Sequence, residues 1–125
     1  MYNRSIRLFF EKNPTFPFVL SNGKISLNVM PWFKQGAHDR IYNSMLNGAA
    51  VVTDESVFLK EDLNEKENVI FYSLKNYKDL PEQVQQLLSN SKERKRICEN
   101  GYNHAKSFHT WEIRAKELLA FLQKE

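Results

Sequence analysis

One stretch constrains the fold more than any other: Ser26 to Ser56, SLNVMPWFKQGAHDRIYNSMLNGAAVVTDES. The apolar run Ile25–Met30 reads as a strand stopped by Pro31. A loop from Trp32 to Ala37 follows and contains Gly36. A helix is expected from about His38 or Asp39 to Asn47, because Ile41, Tyr42, Met45 and Leu46 then share one face. Gly48 stands where a helix C′ residue needs positive φ. Ala49–Thr53 is a second apolar strand, closed by the polar group Thr53-Asp54-Glu55-Ser56. Two apolar strands joined by one helix make a βαβ unit, and that crossover implies a parallel sheet. Ligands of open parallel sheets bind beyond the carboxyl ends of the strands, often against helix N-termini. Gly36 to Arg40 and Thr53 to Ser56 are the two polar clusters expected at such ends.

The rest of the chain extends this pattern. Val69–Tyr72 is a third strand. Ser56 to Leu63 suits a short helix between the second and third strands. Asn76 or Asp79 caps a helix carrying Leu80, Val84, Leu87 and Leu88, with Pro81 in its first turn. Ser91 caps a long helix with Ile97, Tyr102, Ala105 and Phe108 expected inward. Gly101 inside that helix costs about 1 kcal/mol against Ala, so it marks a close contact or a kink. Thr110 caps a last helix from Trp111 to about Gln123, with Leu118, Leu119 and Leu122 on one side. Before this frame, Tyr2 to Lys12 suits a strand or a short helix, Asn13–Pro17 is a breaker, and Phe18-Val19-Leu20 is a short apolar piece. That irregular opening suits a chain that starts partway through a larger domain. The expected fold is α/β: a Rossmann-like parallel sheet with flanking helices and two C-terminal helices, in one domain over 1–125.

Composition removes several classes. At 125 residues, 42% hydrophobic and 13% aromatic, the chain can bury a real core. Net charge is only +3, and no stripe of Lys and Arg with interleaved aromatics suggests a nucleic-acid partner. Residues 1–50 hold six Lys/Arg against two Asp/Glu, a weak bias toward a phosphate-bearing ligand. The lone Cys98 rules out an internal disulfide framework and suits a reducing, cytoplasmic setting. Its expected role is a small core thiol. No apolar run reaches the roughly 20 residues of a transmembrane helix, and charges interrupt any signal-peptide core at the N-terminus.

Gly36-Ala37-His38-Asp39-Arg40 is the best candidate site. Glycine admits close backbone approach, first-turn N–H groups attract phosphate, and arginine grips phosphate with two parallel hydrogen bonds. The plainer alternative makes Asp39 an N-cap and Arg40 a surface ion pair. Asn43 lies one turn beyond Asp39, where its amide suits a sugar hydroxyl or simple exposure. His38, His104 and His109 do not form a zinc pattern, so no metal is expected. Lys92–Arg96 reads as a solvated helix face, and Trp111 as a core or domain-contact anchor. His109-Thr110-Trp111 sets the start of the last helix.

With these residues in view, the chain resembles the C-terminal part of a glycosyltransferase with two Rossmann-like domains, the GT-B architecture. It is most similar to group 1 enzymes of the CgeB-like, spore-maturation type. The resemblance is carried by LNVMPWFKQGAHDRIYNSMLNGAAVVTD at 27–54, ENVIFYSL at 67–74 and ENGYNHAKSFHTWEIRAKELL at 99–119, most of residues 25–120. It implies a nucleotide-sugar donor, with Gly36, His38, Asp39 and Arg40 by its phosphates or sugar. It also implies that Asn43, Thr53 and Asp54 border the same pocket, that no bound metal is needed, and that an N-terminal domain supplies the acceptor site and any general base. Retaining relatives carry two Glu separated by seven residues, the second five before the turn glycine. Counted back from Gly48, those positions are Asn43 and Gln35, both amides. Ribose recognition by a carboxylate and a retaining outcome therefore do not carry over. Two rival readings stand beside this one. One is a non-catalytic nucleotide or nucleotide-sugar binding module. The other is an α/β interaction domain of response-regulator type, which needs an acidic cluster at strand ends and finds only Asp54-Glu55.

Overall fold

The structure, a computed structural model, describes residues 22–124. The readings made for Tyr2–Lys12, Asn13–Pro17 and Phe18–Leu20 lie outside those residues. Among the described residues the elements are β1 (Ile25–Asn28), α1 (Asp39–Leu46), β2 (Ala50–Asp54), α2 (Val57–Asp62), β3 (Ile70–Tyr72), α3 (Leu80–Ser89), α4 (Ser91–Phe108) and α5 (Trp111–Leu122). The three strands form one sheet in the order β1-β2-β3, and both pairings are parallel. Ile25 faces Ala50 and Asn28 faces Thr53, while Val52 faces Ile70 and Asp54 faces Tyr72. The α/β, Rossmann-like architecture expected from the sequence is therefore present, and the described chain closes with helices.

β2 is buried at every position, as the middle strand of a parallel sheet must be when both faces are covered. Its side chains alternate between two layers. Val51 points into a core with Ile41, Met45, Leu59, Leu63 and Val69, under α1 and α2. Ala50 and Val52 point into a second core with Tyr72, Leu87 and Ile97, under α3 and α4. α4 serves both layers, giving Ile97 to one and Ala105 to the other.

Strand and helix ends differ from the sequence reading by one or two residues, with local causes. β1 stops at Asn28, because the Met30 amide leaves the ladder and donates to Asp54 Oδ1 at 2.8 Å. α1 begins at Asp39 with His38 as N-cap, and α2 has Ser56 as its cap, accepting from the Leu59 amide. Asn90, one residue before Ser91, caps α4 by accepting from the Glu93 amide. Gly48 has φ of 80°, and an added Cβ would meet nothing within 4 Å. The turn thus demands glycine through its backbone alone, not through crowding.

Two expectations about burial fail. Tyr102 and Phe108 of α4 are exposed, because the seam of that helix runs through Ile97, Gly101 and Ala105 at spacings of four. Trp111 is 80% exposed, so it is no core anchor. Leu118, Leu119 and Leu122 of α5 are also exposed, and no residue of α5 is buried. Among the described residues no helix is long and apolar enough to cross a membrane. Cys98 packs beside the second core, and burial pushes its thiol up, which suits the small-thiol role.

Candidate functional site

The N-termini of α1 and α2 follow the carboxyl ends of β1 and β2, so both open on the ligand-binding edge of the sheet. A cavity of about 660 Å³ borders the Gly36–Ala37 loop, the length of α1, Phe58 of α2 and the start of α5, within the range that holds small ligands. Gly36, Ala37 and Asp39 form one wall and Asn43 and Leu46 continue it along α1. Tyr42 and Phe58 contribute aromatic surface. His109, Thr110, Trp111 and Arg114 close the far side.

The structure brings together only part of the predicted site. Gly36, Asp39 and Asn43 line this cavity. His38 and Arg40 do not; both are exposed. His38 Nδ1 accepts from the Arg40 amide at 3.2 Å and also lies against the Asp39 carboxylate. Both contacts hold the imidazole against the first turn of α1. Thr53 and Asp54 are almost fully buried and do not line the cavity. Asn28 Nδ2 donates to Thr53 Oγ1 at 2.9 Å. Asp54 accepts from the Met30 amide and from Lys34 Nζ, the latter at 2.6 Å. These two residues hold the loop after β1 onto the end of β2. A smaller cavity of about 290 Å³ borders Lys34, Glu55 and Ser73–Lys75 at the same edge.

Behind the larger cavity lies a cluster that the sequence did not reveal. Asp62 ends α2 and meets three donors: Tyr42 OH at 2.8 Å, His109 Nε2 at 2.9–3.0 Å and His104 Nε2 at 3.2 Å. His109 stacks on Tyr42, with ring centroids 3.8 Å apart and planes 13° from parallel. Its other nitrogen, Nδ1, lies 2.6 Å from Arg114 Nη2. Arginine can only donate, so Nδ1 must accept and the imidazole proton sits on Nε2, aimed at Asp62. Burial agrees with this neutral tautomer, since it holds the His109 pKa below its ordinary value against the pull of Asp62. The contact is therefore a hydrogen bond from a neutral ring, not an ion pair. Burial opposes ionisation of Asp62, yet the bonds from Tyr42, His109 and His104 outweigh it and hold its pKa low. Burial and the neighbouring carboxylate push the Tyr42 phenol up, so it stays a donor.

Ligand atoms of Asp62, His104 and His109 lie within 4.8 Å of one another, close enough to hold a cation. A metal at His109 Nε2 would have to displace the proton that Arg114 fixes there. The donors are already matched among themselves, and the cluster reads as a closed hydrogen-bond relay.

Tyr42, His109 and Arg114 were not named as site residues from sequence. Tyr42 shares the apolar face of α1 and looks like core, which it is on one side. A signal for the other two did exist. Thr110 accepts from the Ile113 amide as N-cap of α5, which makes His109 the N′ residue and Arg114 the N4 residue. Residues at N′ and N4 meet across a helix start in the hydrophobic staple. Here the same geometry carries a polar pair.

Comparison with known proteins gives a family and a fold. A family model described as glycosyl transferase-like matches residues 10–120. No curated protein matches the chain. One similar solved structure is the C-terminal domain of a glycosyl transferase group 1 family protein (LpcC) from Francisella tularensis. It has 22% identity and a TM-score of 0.57 over 68% of this chain. Another is sucrose-phosphate synthase from Thermosynechococcus elongatus, with 15% identity and a TM-score of 0.68 over 78% of this chain. This chain spans 44% of the first structure and 25% of the second.

Proposed function

The chain belongs to the glycosyl transferase-like family, and from that premise we propose that it is the donor-binding part of a CgeB-like glycosyltransferase. It holds a nucleotide-sugar at the carboxyl edge of its sheet, and a separate acceptor domain completes the enzyme. The observation that carries this reading is the cavity of about 660 Å³ bounded by Gly36, Asp39 and Asn43. It is lined by aromatic surface suited to a base or sugar ring, by an amide suited to hydroxyls and by one arginine suited to phosphate. Exposed His38 and Arg40 stand at the start of α1, next in sequence to the wall residue Asp39. Thr53 and Asp54 act through the scaffold, by fixing the loop that carries Gly36. Charge on a leaving diphosphate would be offset by arginine side chains and backbone N–H groups, so the reading needs no metal.

Nuclear magnetic resonance titration of the chain with uridine, guanosine and thymidine diphosphates tests this. Saturable shifts at Gly36, Asn43 and Thr110 with one of the three are expected. Shifts confined to other surfaces, or none with any nucleotide, would end the donor reading.

One observation favours a second reading, a nucleotide-sugar binding module without transfer. Asn43 is the residue that reaches the cavity where retaining relatives would place a carboxylate. Donor hydrolysis or transfer by the protein joined to its acceptor domain separates the two.

A further inference from the structure

We propose that Arg114 is the diphosphate-binding cation of the cavity, positioned by the Asp62–His109 relay and held in reserve by Glu117. The proposal rests on the donor reading for the identity of its natural ligand, though not for the existence of an anion site.

Among the described residues that line the cavity, Arg114 carries the one fixed positive charge, because His109 is neutral there. Its guanidinium is held from two sides. Nη2 is held by His109 Nδ1 at 2.6 Å, the ring is clamped by stacking on Tyr42, and Asp62 anchors the opposite nitrogen. Nη1 donates to Glu117 Oε2 at 2.7 Å. A guanidinium has five N–H donors, so three remain for a ligand, in the planar fork that matches phosphate oxygens. Asp39 also lines the cavity, and its carboxylate disfavours an anion on the α1 side. Glu117 is mostly exposed and pairs with Arg114 over one helical turn. Its carboxylate opposes an incoming diphosphate by charge, so Glu117 acts as a built-in competitor.

Calorimetry on the full chain tests this, with nucleoside diphosphates, the matching nucleosides and inorganic pyrophosphate as probes. Arg114→Gln should weaken diphosphate and pyrophosphate binding roughly ten- to a hundredfold, the worth of a charge-assisted hydrogen bond. Nucleoside binding should hardly change. Glu117→Gln should tighten diphosphate binding about two- to fivefold, as expected for relief of an exposed ion pair. Asp62→Asn should weaken diphosphates more than nucleosides, because it loosens the mount of Arg114. Glu117→Gln touches nothing buried, so its result stands even if another variant folds poorly. Nucleotide binding that ignores both Arg114→Gln and Glu117→Gln would overturn the proposal and leave the donor reading intact. Pyrophosphate binding through Arg114 with no nucleotide binding would do the reverse. A parent chain that binds none of the probes would overturn both.

Discussion

Two carboxylates, one at the end of β2 and one at the end of α2, tie distant segments together in different ways. Asp54 is 1% exposed and closes on a backbone amide and on Lys34. What they fix is the loop after β1, whose Lys34 borders the smaller cavity. The Asp62 side chain is 18% exposed and closes on three side chains, from α1, α4 and the α4–α5 junction. One of these, His109, carries the connection on to Arg114 and so to the cavity. The first arrangement is a fastening. The second is a mount, because Asp62 reaches through His109 to a side chain that lines the larger cavity. Burial alone would rank Asp54 as the more important residue; the hydrogen bonds connect Asp62 to the larger cavity.

Replacing each carboxylate sharpens the contrast most. Asp54→Ala leaves the buried Met30 amide without its acceptor and frees the loop after β1. We expect a loss of about 3 kcal/mol in a urea melt. Asp62→Asn keeps one carbonyl acceptor, and we expect a loss of about 1–2 kcal/mol. Equal losses would erase the distinction between fastening and mount.

A pH series should find the second cluster and not the first. The folded pKa of His109 lies below its unfolded value of 6.5, so the unfolded chain binds more protons just below that pH. Stability contributed by neutral His109 is complete above about pH 6.5 and declines as pH falls through the folded value. Asp62, also depressed in the fold, adds a further loss below its ordinary value of 3.8. The groups facing His109 are Asp62, Tyr42, His104 and Arg114. Melts between pH 7.5 and 4.5 on the parent and His109→Gln isolate the first phase, which should be absent from the variant. A variant with the parent's full pH dependence would assign the loss elsewhere.

The smallest effect is expected at Lys34. Its side chain is 43% exposed, so water already screens its pairing with Asp54. Lys34→Met should cost about 1 kcal/mol or less by the same melt. A larger loss would mean that the ion pair, and not the Met30 amide, is what Asp54 serves.

The sheet and its order were legible because they rest on local patterns. Apolar runs, the Gly48 turn and the polar caps lie within a few residues of one another, and the physics they report is local. The placement of Gly36, Asp39 and Asn43 in a loop and first turns after a strand was legible for the same reason, and all three border one cavity. Thr53 and Asp54 were correctly placed at a strand end, but a strand-end position says nothing about which way a side chain closes. The relay was illegible, since Asp62 meets His104 and His109 only through packing of α4 on α1, across more than forty residues of chain. The overcount of inward residues on α4 came from reading every apolar position as core, when the narrow seam is set by a glycine.

That glycine has a further consequence. A Cβ on Gly101 would stand 3.2 Å from the Asn68 carbonyl oxygen and 3.2 Å from Met45 Cγ. The thioether chain can bend away, whereas the carbonyl belongs to the backbone before β3. Since Gly101 sits one turn before His104 on α4, any widening here tilts the imidazoles away from Asp62. Met45 and Gly101 therefore pack closely, but the Asn68 carbonyl sets the limit. A methyl at 101 can be met at Met45 by a bend of the thioether but not at the Asn68 carbonyl, so the spacing of α4 from the backbone before β3 is set by a residue with no side chain.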